Sequence, residues 1–247
     1  EGPPTGAKRT ENEVLDVTNN YRDLEDSDVA TAVLPVGAIE QHGPHLPLST
    51  DWTQAEAVSS RVAERLDAFL LPGMPYGCSQ AHVGFRGSIS ISLNTLSAVV
   101  KDIANDLLDQ GFKRILVLNF HGGNLSLKLA VRELNAARPE GKVVLSSPFR
   151  DLDRSAILEG DSDAHAGEFE TSVMLHLFPD QVGDERVDHV PDRTEEYFDY
   201  APLKDICPEG VWGLSSLATA DKGERLLVGM VEQTTAYALQ TFERLGV

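Results

Sequence analysis

A continuous apolar run at residues 114–120 constrains the fold of this chain more than any other feature of its sequence. The run, Arg-Ile-Leu-Val-Leu-Asn-Phe, is short, and it lies between Gly111 and His121-Gly122-Gly123. Because an apolar strand has no face suited to water, it is typical of a parallel sheet covered on both sides. Parallel strands need long crossover connections, so the rest of the chain should alternate strand and helix.

The remaining sequence supplies this alternation. Strands are predicted at residues 31–37, 69–72, 89–93, 114–120 and 142–146. Helices are predicted at residues 52–66, 96–110, 125–137, 173–178 and 221–245. The expected N-caps of the first three helices are Thr50 or Asp51, Asn94 or Thr95, and Asn124. We therefore predict an α/β, single-domain layered fold with a mainly parallel central sheet flanked by helices. Residues 13–247 should form this domain, and the polar, Gly- and Pro-containing residues 1–12 a flexible N-terminal arm.

The overall charge excludes one class of partner. The chain has 39 acidic and 21 basic residues and a formal net charge of -18. Affinity for nucleic acid comes largely from Lys and Arg, so no nucleic-acid partner is expected.

No apolar run approaches the roughly 20 residues of a membrane span, so no membrane partner is expected either. The two cysteines, Cys78 and Cys207, are typical of a reduced compartment, and we expect a cytoplasmic protein.

A cluster of potential metal ligands follows the first predicted strand. Glu40, His42 and Asp51 lie within a dozen residues, and the period of two in an extended chain sends Glu40 and His42 to the same side. Gly43, Pro44 and Pro47 could turn the chain and return Asp51 to the same point. Oxygen and imidazole ligands together suit zinc, manganese or iron. The alternative is an acidic loop with solvated histidines.

A second stretch is expected to meet this one in space. Ligands in parallel sheets bind beyond the carboxyl ends of the strands, and both Glu40 and His121 follow predicted strands. A third concentration of titratable groups, around His165 and Glu170, precedes a predicted helix. This convergence favours a metal site over a solvated loop.

Taken together, the motifs resemble those of the creatininase (creatinine amidohydrolase) family. The matching stretches, in family order, are Gly37-Ala-Ile-Glu40-Gln-His42-Gly-Pro-His-Leu-Pro-Leu-x-Thr-Asp51, the serine and histidine segment 77–87, His121-Gly-Gly-Asn124, His165-Ala-Gly-x-x-Glu170-Thr-Ser172, Gly-Val-Trp212-Gly and Ala220-Asp-Lys-Gly223. The resemblance covers about residues 30–245. It is closer to the His-Gly-Gly-Asn branch, which includes a formamide hydrolase and a peptidase, than to creatininase proper.

The resemblance implies a compact α/β fold, a homo-oligomer that is often a hexamer, and two divalent metal ions, with zinc favoured over manganese or iron. By position, Glu40 and His121 resemble ligands of one ion, His42 a ligand of the other, and Asp51 the bridge between them. Creatininase proper has a glutamate where this chain has Gly123, so either Glu170 or water would complete the second site. This difference leaves open whether creatinine is the substrate.

The implied activity is hydrolysis of an amide C–N bond in a small molecule, either a cyclic amide, a formamide or a small peptide. A metal-bridging hydroxide would attack the amide carbon, and His165, with Glu170, would provide the catalytic groups of the protein. Ser79, His82, Gly122, Gly123 and Trp212 are the predicted substrate-binding residues. 

Two alternatives remain open. Ser79 could act as a nucleophile with His82 or His165, although the chain lacks a Gly-x-Ser-x-Gly motif. The metal could also serve only to stabilise a non-catalytic scaffold or sensor.

Overall fold

The structure, a computed structural model, describes residues 14–247, so the predicted arm at residues 1–12 lies outside the described residues. The strands are β1 (Leu15–Asp16), β2 (Thr31–Val36), β3 (Phe69–Leu70), β4 (Arg114–Asn119), β5 (Lys142–Ser146), β6 (Asp188–His189) and β7 (Gly213–Leu214). The helices are α1 (Tyr21–Glu25), α2 (Thr50–Leu66), α3 (Leu93–Asp109), α4 (Leu127–Ala137), α5 (Pro148–Asp151), α6 (Glu168–Leu177), α7 (Leu203–Ile206) and α8 (Ala220–Leu245).

A parallel sheet with the strand order β1-β3-β2-β4-β5 forms the centre of the protein. Strands β2 and β4 are neighbours, and their register pairs Val36 with Asn119, so both strands end at the same edge of the sheet. The loops that begin at Gly37 and Phe120 therefore leave the sheet side by side. Strands β6 and β7 form a separate antiparallel pair.

Helices cover both faces of the sheet, as the apolar strands predict. Alternate residues of β4 belong to different cores: Leu116 and Leu118 pack with α2, α6 and α8, whereas Ile115 and Val117 pack with α3 and α4. This period of two gives each face its own hydrophobic core, with the sheet between them. The prediction of a layered α/β fold with a mainly parallel sheet is confirmed.

Helices α6 and α8 approach each other unusually closely at their N-terminal ends. A Cβ atom at Gly223 would lie 1.9 Å from the carbonyl oxygen of Ser172, so only glycine permits this contact. Beside it, the Lys222 Nζ contacts Glu168 Oε1 at 2.5 Å, and Glu168 is fully buried. None of the helices in residues 14–247 is long and apolar enough to cross a membrane.

The predicted strand at residues 89–93 is wrong. Ile89 forms only an isolated bridge with Ile39, and Leu93 already begins α3, with Ser92 instead of Asn94 or Thr95 as its N-cap. Ile89 and Leu93 are 48% and 38% exposed, so the alternating pattern does not mark a buried face.

Two further N-cap predictions are also wrong. Ser49 precedes α2, and its side chain makes no cap hydrogen bond. Ser126 is the residue that precedes α4. Asn124 does not cap this helix, because its side chain bonds to three other segments. It accepts from the Cys78 N–H at 2.9 Å, and its Nδ2 donates to Asn119 Oδ1 at 2.9 Å and to the Gly37 carbonyl at 3.3 Å. Asn124 thus joins the loops around the candidate site.

Candidate metal centre

The loop after β2 buries Glu40 and His42, which are 1% and 0% exposed, and brings Asp51 back beside them in the first turn of α2. Gly37 permits this return, because a Cβ atom there would lie 2.5 Å from the Cα of Trp52. His42 Nε2 lies 3.1 Å from Asp51 Oδ1. The three side chains of this loop therefore meet at one point, as the sequence predicts.

His121 reaches the same point from the end of β4. Its Nδ1 lies 3.3 Å from Glu40 Oε1 and 3.2 Å from Asp51 Oδ2. Asn119 fixes the turn, since its Oδ1 accepts from the His121 N–H at 3.2 Å and its Nδ2 donates to the His121 carbonyl at 3.0 Å. The neighbouring ends of two parallel strands thus supply groups to one site.

The segment that leads into α6 supplies His165 and Glu170. The His165 N–H donates to the Trp212 carbonyl at 3.1 Å, and the Trp212 N–H donates to the His165 carbonyl at 2.8 Å. The Ala166 N–H donates to Glu170 Oε2 at 2.5 Å, and Glu170 Oε1 lies 3.7 Å from His42 Nε2. Trp212 therefore holds the backbone of His165, while the start of α6 turns Glu170 toward His42.

Three imidazoles of the site share one arrangement of their ring nitrogens. On its outer side, each ring has a nitrogen near a main-chain carbonyl oxygen: His42 Nδ1 at 3.1 Å from Glu40 O, His121 Nε2 at 3.2 Å from Cys78 O, and His165 Nε2 at 2.7 Å from Gln41 O. Because a carbonyl oxygen only accepts, the outer nitrogens of His42 and His121 carry the proton, and His165 Nε2 carries it in the tautomer that bonds to the Gln41 carbonyl. The inner nitrogen of each neutral ring is then an unprotonated lone pair, as metal-binding histidines require.

These inner nitrogens face carboxylate oxygens. His42 Nε2 faces Asp51 and Glu170, His121 Nδ1 faces Glu40 and Asp51, and His165 Nδ1 lies 3.8 Å from Glu40 Oε1. A lone pair and an anionic oxygen at such distances repel each other unless a proton or a metal ion lies between them. Glu40 Oε2 and Asp51 Oδ2 are also buried without a hydrogen-bond partner among the described residues, which is costly for a carboxylate. The donor set therefore fits a divalent cation.

The potential ligand atoms form overlapping groups in which all atoms lie within 4.8 Å of one another. The groups are Glu40, Asp51 and His121; His42, His165 and Glu170; and Glu40, His82 and His165. Asp51 lies between the first two groups, because its Oδ1 faces His42 and its Oδ2 faces His121. This position suits a carboxylate that bridges two ions.

The buried histidines and carboxylates of this site shift one another's pKa values. Burial disfavours the charged form of His121, but Glu40 and Asp51 outweigh burial and raise the pKa of His121 to about 10. Burial likewise opposes the charged form of Glu170, but His42 and His165 lower the pKa of its carboxyl to about 2. Cations that bind here would compete with these protons, so metal affinity should depend on pH.

Gly123 explains how this chain differs from creatininase proper. A Cβ atom at this position would lie 2.3 Å from the Cys78 carbonyl oxygen and 2.5 Å from His121 Nε2. The same carbonyl accepts the outer hydrogen bond of His121, so a side chain at residue 123 would disturb that ligand. Glu170 instead lies beside His42, with its Oε1 3.7 Å from His42 Nε2.

Gln41 is a site residue that the sequence did not single out. It is 6% exposed, and its Nε2 lies 3.1 Å from His82 Nδ1 and 3.0 Å from His165 Nε2. Its Oε1 accepts from the Gly43 N–H at 2.9 Å, which fixes the orientation of the amide. His82 Nδ1 therefore accepts from Gln41, and its Nε2 carries a proton 3.1 Å from Glu40 Oε1. A glutamine in the middle of a ligand motif gives no signal of such a role.

A cavity of about 590 Å³ opens onto the cluster. Its lining includes Glu40, Asp51, His82, His121, Gly122, Gly123, His165 and Glu170. Neither Ser79 nor Trp212 lines this cavity, although both were predicted to contact substrate. The Ser79 side chain is buried, and Trp212 lies behind Phe198, a lining residue whose ring it stacks against at 5.1 Å between centroids. His45 is also buried outside the cavity, with Nε2 2.9 Å from Thr171 Oγ1.

Comparisons with known proteins agree with the fold and the motifs. The creatininase family, described as creatinine amidohydrolase, matches residues 18–238. A mycofactocin precursor peptide peptidase from Mycolicibacterium smegmatis is 36% identical over 87% of this chain and 86% of its own length. A creatinine amidohydrolase from Pseudomonas putida is 37% identical over 79% of this chain and 83% of its own length.

Solved structures show the same similarity. A crystal structure of creatininase superposes with a TM-score of 0.81 at 31% identity, covering 93% of this chain and 98% of the other. Related creatininase structures of similar TM-score are described as a manganese form and as a Zn–Zn type. The match over residues 18–238, together with relatives above 30% identity, shows that this chain belongs to the creatininase family.

Proposed function

We propose that this protein is a dinuclear-metal-dependent amidohydrolase that cleaves a C–N amide bond. One observation carries the proposal: three buried imidazoles place their outer nitrogens at main-chain carbonyls and direct their inner nitrogens at carboxylates. Such a set costs free energy in the absence of cations and becomes favourable with them. The similarity to creatinine amidohydrolase and to a peptide peptidase supports an amide as the bond that is cleaved.

The proposed ligands divide into two sets. Glu40, Asp51 and His121 would hold one ion, and His42, Asp51 and Glu170 the other, with Asp51 shared. Zinc suits this combination of imidazole and carboxylate, as do manganese and iron. When bound, such ions polarise a carbonyl oxygen and lower the pKa of water from ~15.7 to near ~7.

The residues around the ions would transfer protons and orient the substrate. In the tautomer whose Nε2–H donates to the Gln41 carbonyl, His165 Nδ1 is the atom available to take a proton from the attacking water and to pass it to the leaving nitrogen. Burial lowers the pKa of His165, which keeps the ring neutral and able to accept a proton. His82 Nε2 presents a second proton to the cavity beside Glu40, and the backbone at Gly122 and Gly123 lines the cavity opposite.

The geometry disfavours nucleophilic catalysis by Ser79. A serine nucleophile needs a base within hydrogen-bond reach, yet Ser79 Oγ is buried and has no hydrogen-bond partner within the described part of the chain. Chelation separates the two chemistries. Activity that survives EDTA and is abolished by a serine-directed reagent would favour Ser79.

Metal analysis joined to an amide screen tests the proposal. Purified protein should contain two ions per chain and release amine from some members of a panel of lactams, formamides, creatinine and small peptides. Glu40→Gln and His42→Asn should lower metal content and activity together, whereas Glu133→Gln, an exposed glutamate paired with Lys101, should change neither.

His165→Ala separates catalysis from a scaffold or sensor role. The variant should bind metal and fold but lose most activity, because general acid–base catalysis typically contributes 10²–10⁴-fold. If every hydrolytic rate is unchanged in His165→Ala, the assigned role of His165 is wrong. Metal that binds stoichiometrically without any amide hydrolysis would favour the scaffold or sensor.

A further inference from the structure

Two arginines line the cavity beside the candidate metal centre, on the segment that follows β5. Arg150 and Arg154 belong to the lining, and each guanidinium lies over an aromatic ring of the same wall. The Arg150 Cζ is 5.6 Å from the centroid of Phe149, and the Arg154 Cζ is 5.2 Å from that of Phe169. Cation–π contacts hold a guanidinium in place without consuming its N–H donors.

Arg150 lies next to the ligand loop. A Cβ atom at Gly122 would be 2.9 Å from Arg150 Nη2, so the guanidinium lies against the backbone of the residue that follows His121. A group bound by Arg150 would therefore lie close to the proposed ions. Glycine at residue 122 leaves room for this approach.

Among the described residues, neither guanidinium group has a carboxylate partner. Within residues 14–247, no carboxylate oxygen lies within 4.0 Å of either one, although the chain has 39 acidic residues. Arg154 donates only to the Asp163 carbonyl, at 3.2 Å, and the Arg150 side chain donates no hydrogen bond within the described range. Arg138, by contrast, pairs with both Asp109 and Glu140. Arg150, an exposed residue, and the remaining N–H donors of Arg154 therefore have no protein partner within the described residues, and a planar anion in the cavity would suit them.

We propose that Arg150 and Arg154 bind a carboxylate of the substrate, so that the preferred amide carries a free carboxylate near the scissile bond. Glu195 and Asp199 also line the cavity, and their negative charge disfavours a doubly charged phosphate at the same place. Apolar lining residues, including Leu125, offer contacts to a hydrocarbon side chain. An N-acyl amino acid or a short peptide with a free C-terminus has this combination of groups. The inference rests on the proposed amidohydrolase function.

Matched ligands test the role of the arginines. Each N-acyl amino acid or short peptide is prepared with a free C-terminal carboxylate and as the neutral carboxamide, and kcat/KM is compared for the two forms. Ketomethylene analogues, in which CH₂ replaces the amide NH, cannot be hydrolysed, and their binding is measured by calorimetry. The variants are Arg150→Gln, Arg154→Gln and the double variant, with Arg132→Gln on the exposed side of α4 as the control.

The wild type and Arg132→Gln should prefer the carboxylate form roughly 10- to 100-fold, which is the range for hydrogen bonds to a charged group. The double variant should lose this preference while its binding of the carboxamide form is unchanged. Equal binding of the two forms by the wild type, or a preference that persists in the double variant, would overturn the inference.

The two proposals can fail separately. If no amide is hydrolysed but calorimetry shows a carboxylate preference that depends on the arginines, the hydrolase proposal fails and the anion site stands. If amides are hydrolysed by the metal-loaded protein without such a preference, the anion site fails and the hydrolase proposal stands.

Discussion

The buried ion pair between Lys222 and Glu168 makes a sharp prediction about stability. Lys222 Nζ lies 2.5 Å from Glu168 Oε1 and donates to the Leu217 carbonyl at 2.8 Å, and Glu168 is 0% exposed. Glu168 stands in the first turn of α6, where an acid is usually solvated, but here α8 covers the start of α6. Lys222→Met keeps most of the side-chain volume but leaves the Glu168 carboxylate without its cation.

The magnitude follows from the contacts that remain. Removing one partner of a buried ion pair costs about 3–5 kcal/mol. Glu168 still accepts from the Glu159 and Gly160 N–H groups, at 3.0 and 2.8 Å, so we expect a cost at the lower end, about 3 kcal/mol. The other partner of Lys222, Glu159, has a side chain that is 66% exposed and should add little. For a domain of this size the Tm should fall by roughly 6–12 °C.

Thermal and urea denaturation of the EDTA-treated protein would measure the change without a contribution from bound metal. Lys101→Met, which breaks the exposed pair with Glu133, is the control and should shift stability by less than about 1 kcal/mol. Adding Glu168→Gln to Lys222→Met should recover part of the loss, because it removes the uncompensated charge. A Tm change below about 2 °C for Lys222→Met, or no recovery in the double variant, would refute the reasoning.

The pH dependence of this pair has a definite sign. Burial opposes the charged form of Glu168, but Lys222 and backbone N–H donors outweigh it and lower the pKa of the carboxyl below 4.5. A carboxyl whose pKa is lower in the folded than in the unfolded protein stabilises the fold at pH values above its unfolded-state pKa. This stability is lost as the pH falls through its folded-state pKa. The stability difference between wild type and Lys222→Met should therefore shrink below about pH 4.5, as urea titrations at several pH values would show.

Three further predictions follow from the site and the surface. Gly123→Ala should lower metal affinity at least tenfold by calorimetry, because its Cβ would displace the Cys78 carbonyl from His121, and wild-type affinity would contradict this. In EDTA-treated protein, the raised pKa of His121, about 10, means that protonated His121 stabilises the fold. This stabilisation should be fully present below pH 6.5 and lost as the pH rises through 10. Metal loading should remove this loss of stability at high pH. If the urea midpoints from pH 7 to 10 were identical with and without metal, the prediction would be wrong. The side chain of Leu129, which is 59% exposed in the first turn of α4, should be buried in a homo-oligomer, so light scattering should give a multiple of the 26.9 kDa chain mass, and a monomer would contradict this.

The parallel sheet could be predicted because its physical signal is local. A strand buried on both faces must be apolar along its whole length, and residues 31–36 and 114–119 show this directly. Strand polarity then placed Glu40 and His121 at the same edge without knowledge of any distance. The predicted strand at residues 89–93 failed because alternation alone does not require burial, and here Ile89 forms only one isolated bridge, to Ile39, which lies outside the sheet.

The inner arrangement of the site was less accessible to sequence reasoning. Residue types and their order predicted Glu40, His42, Asp51 and His121 as ligands, but the outer hydrogen bonds of the imidazoles involve main-chain carbonyls that any residue could supply. For the same reason, nothing in the sequence indicated the role of Gln41. Trp212 was predicted to contact substrate, but in the structure its backbone pairs with that of His165. Arg150 and Arg154 gave no signal because an unpaired arginine is recognised only when its neighbours are known.

The bonds that orient the imidazoles also constrain when the site can form. The carbonyl that orients His165 belongs to Gln41, 124 residues earlier in the chain, and Cys78 orients His121 across 43 residues. Contacts between such distant residues form late, because the chain must first lose the entropy of closing long loops. An ion that needs His121 and His165 in these orientations is therefore expected to bind late in folding. We expect loading to occur on an already folded sheet, so the rate of metal uptake during refolding should be limited by folding and become independent of metal concentration when metal is in excess.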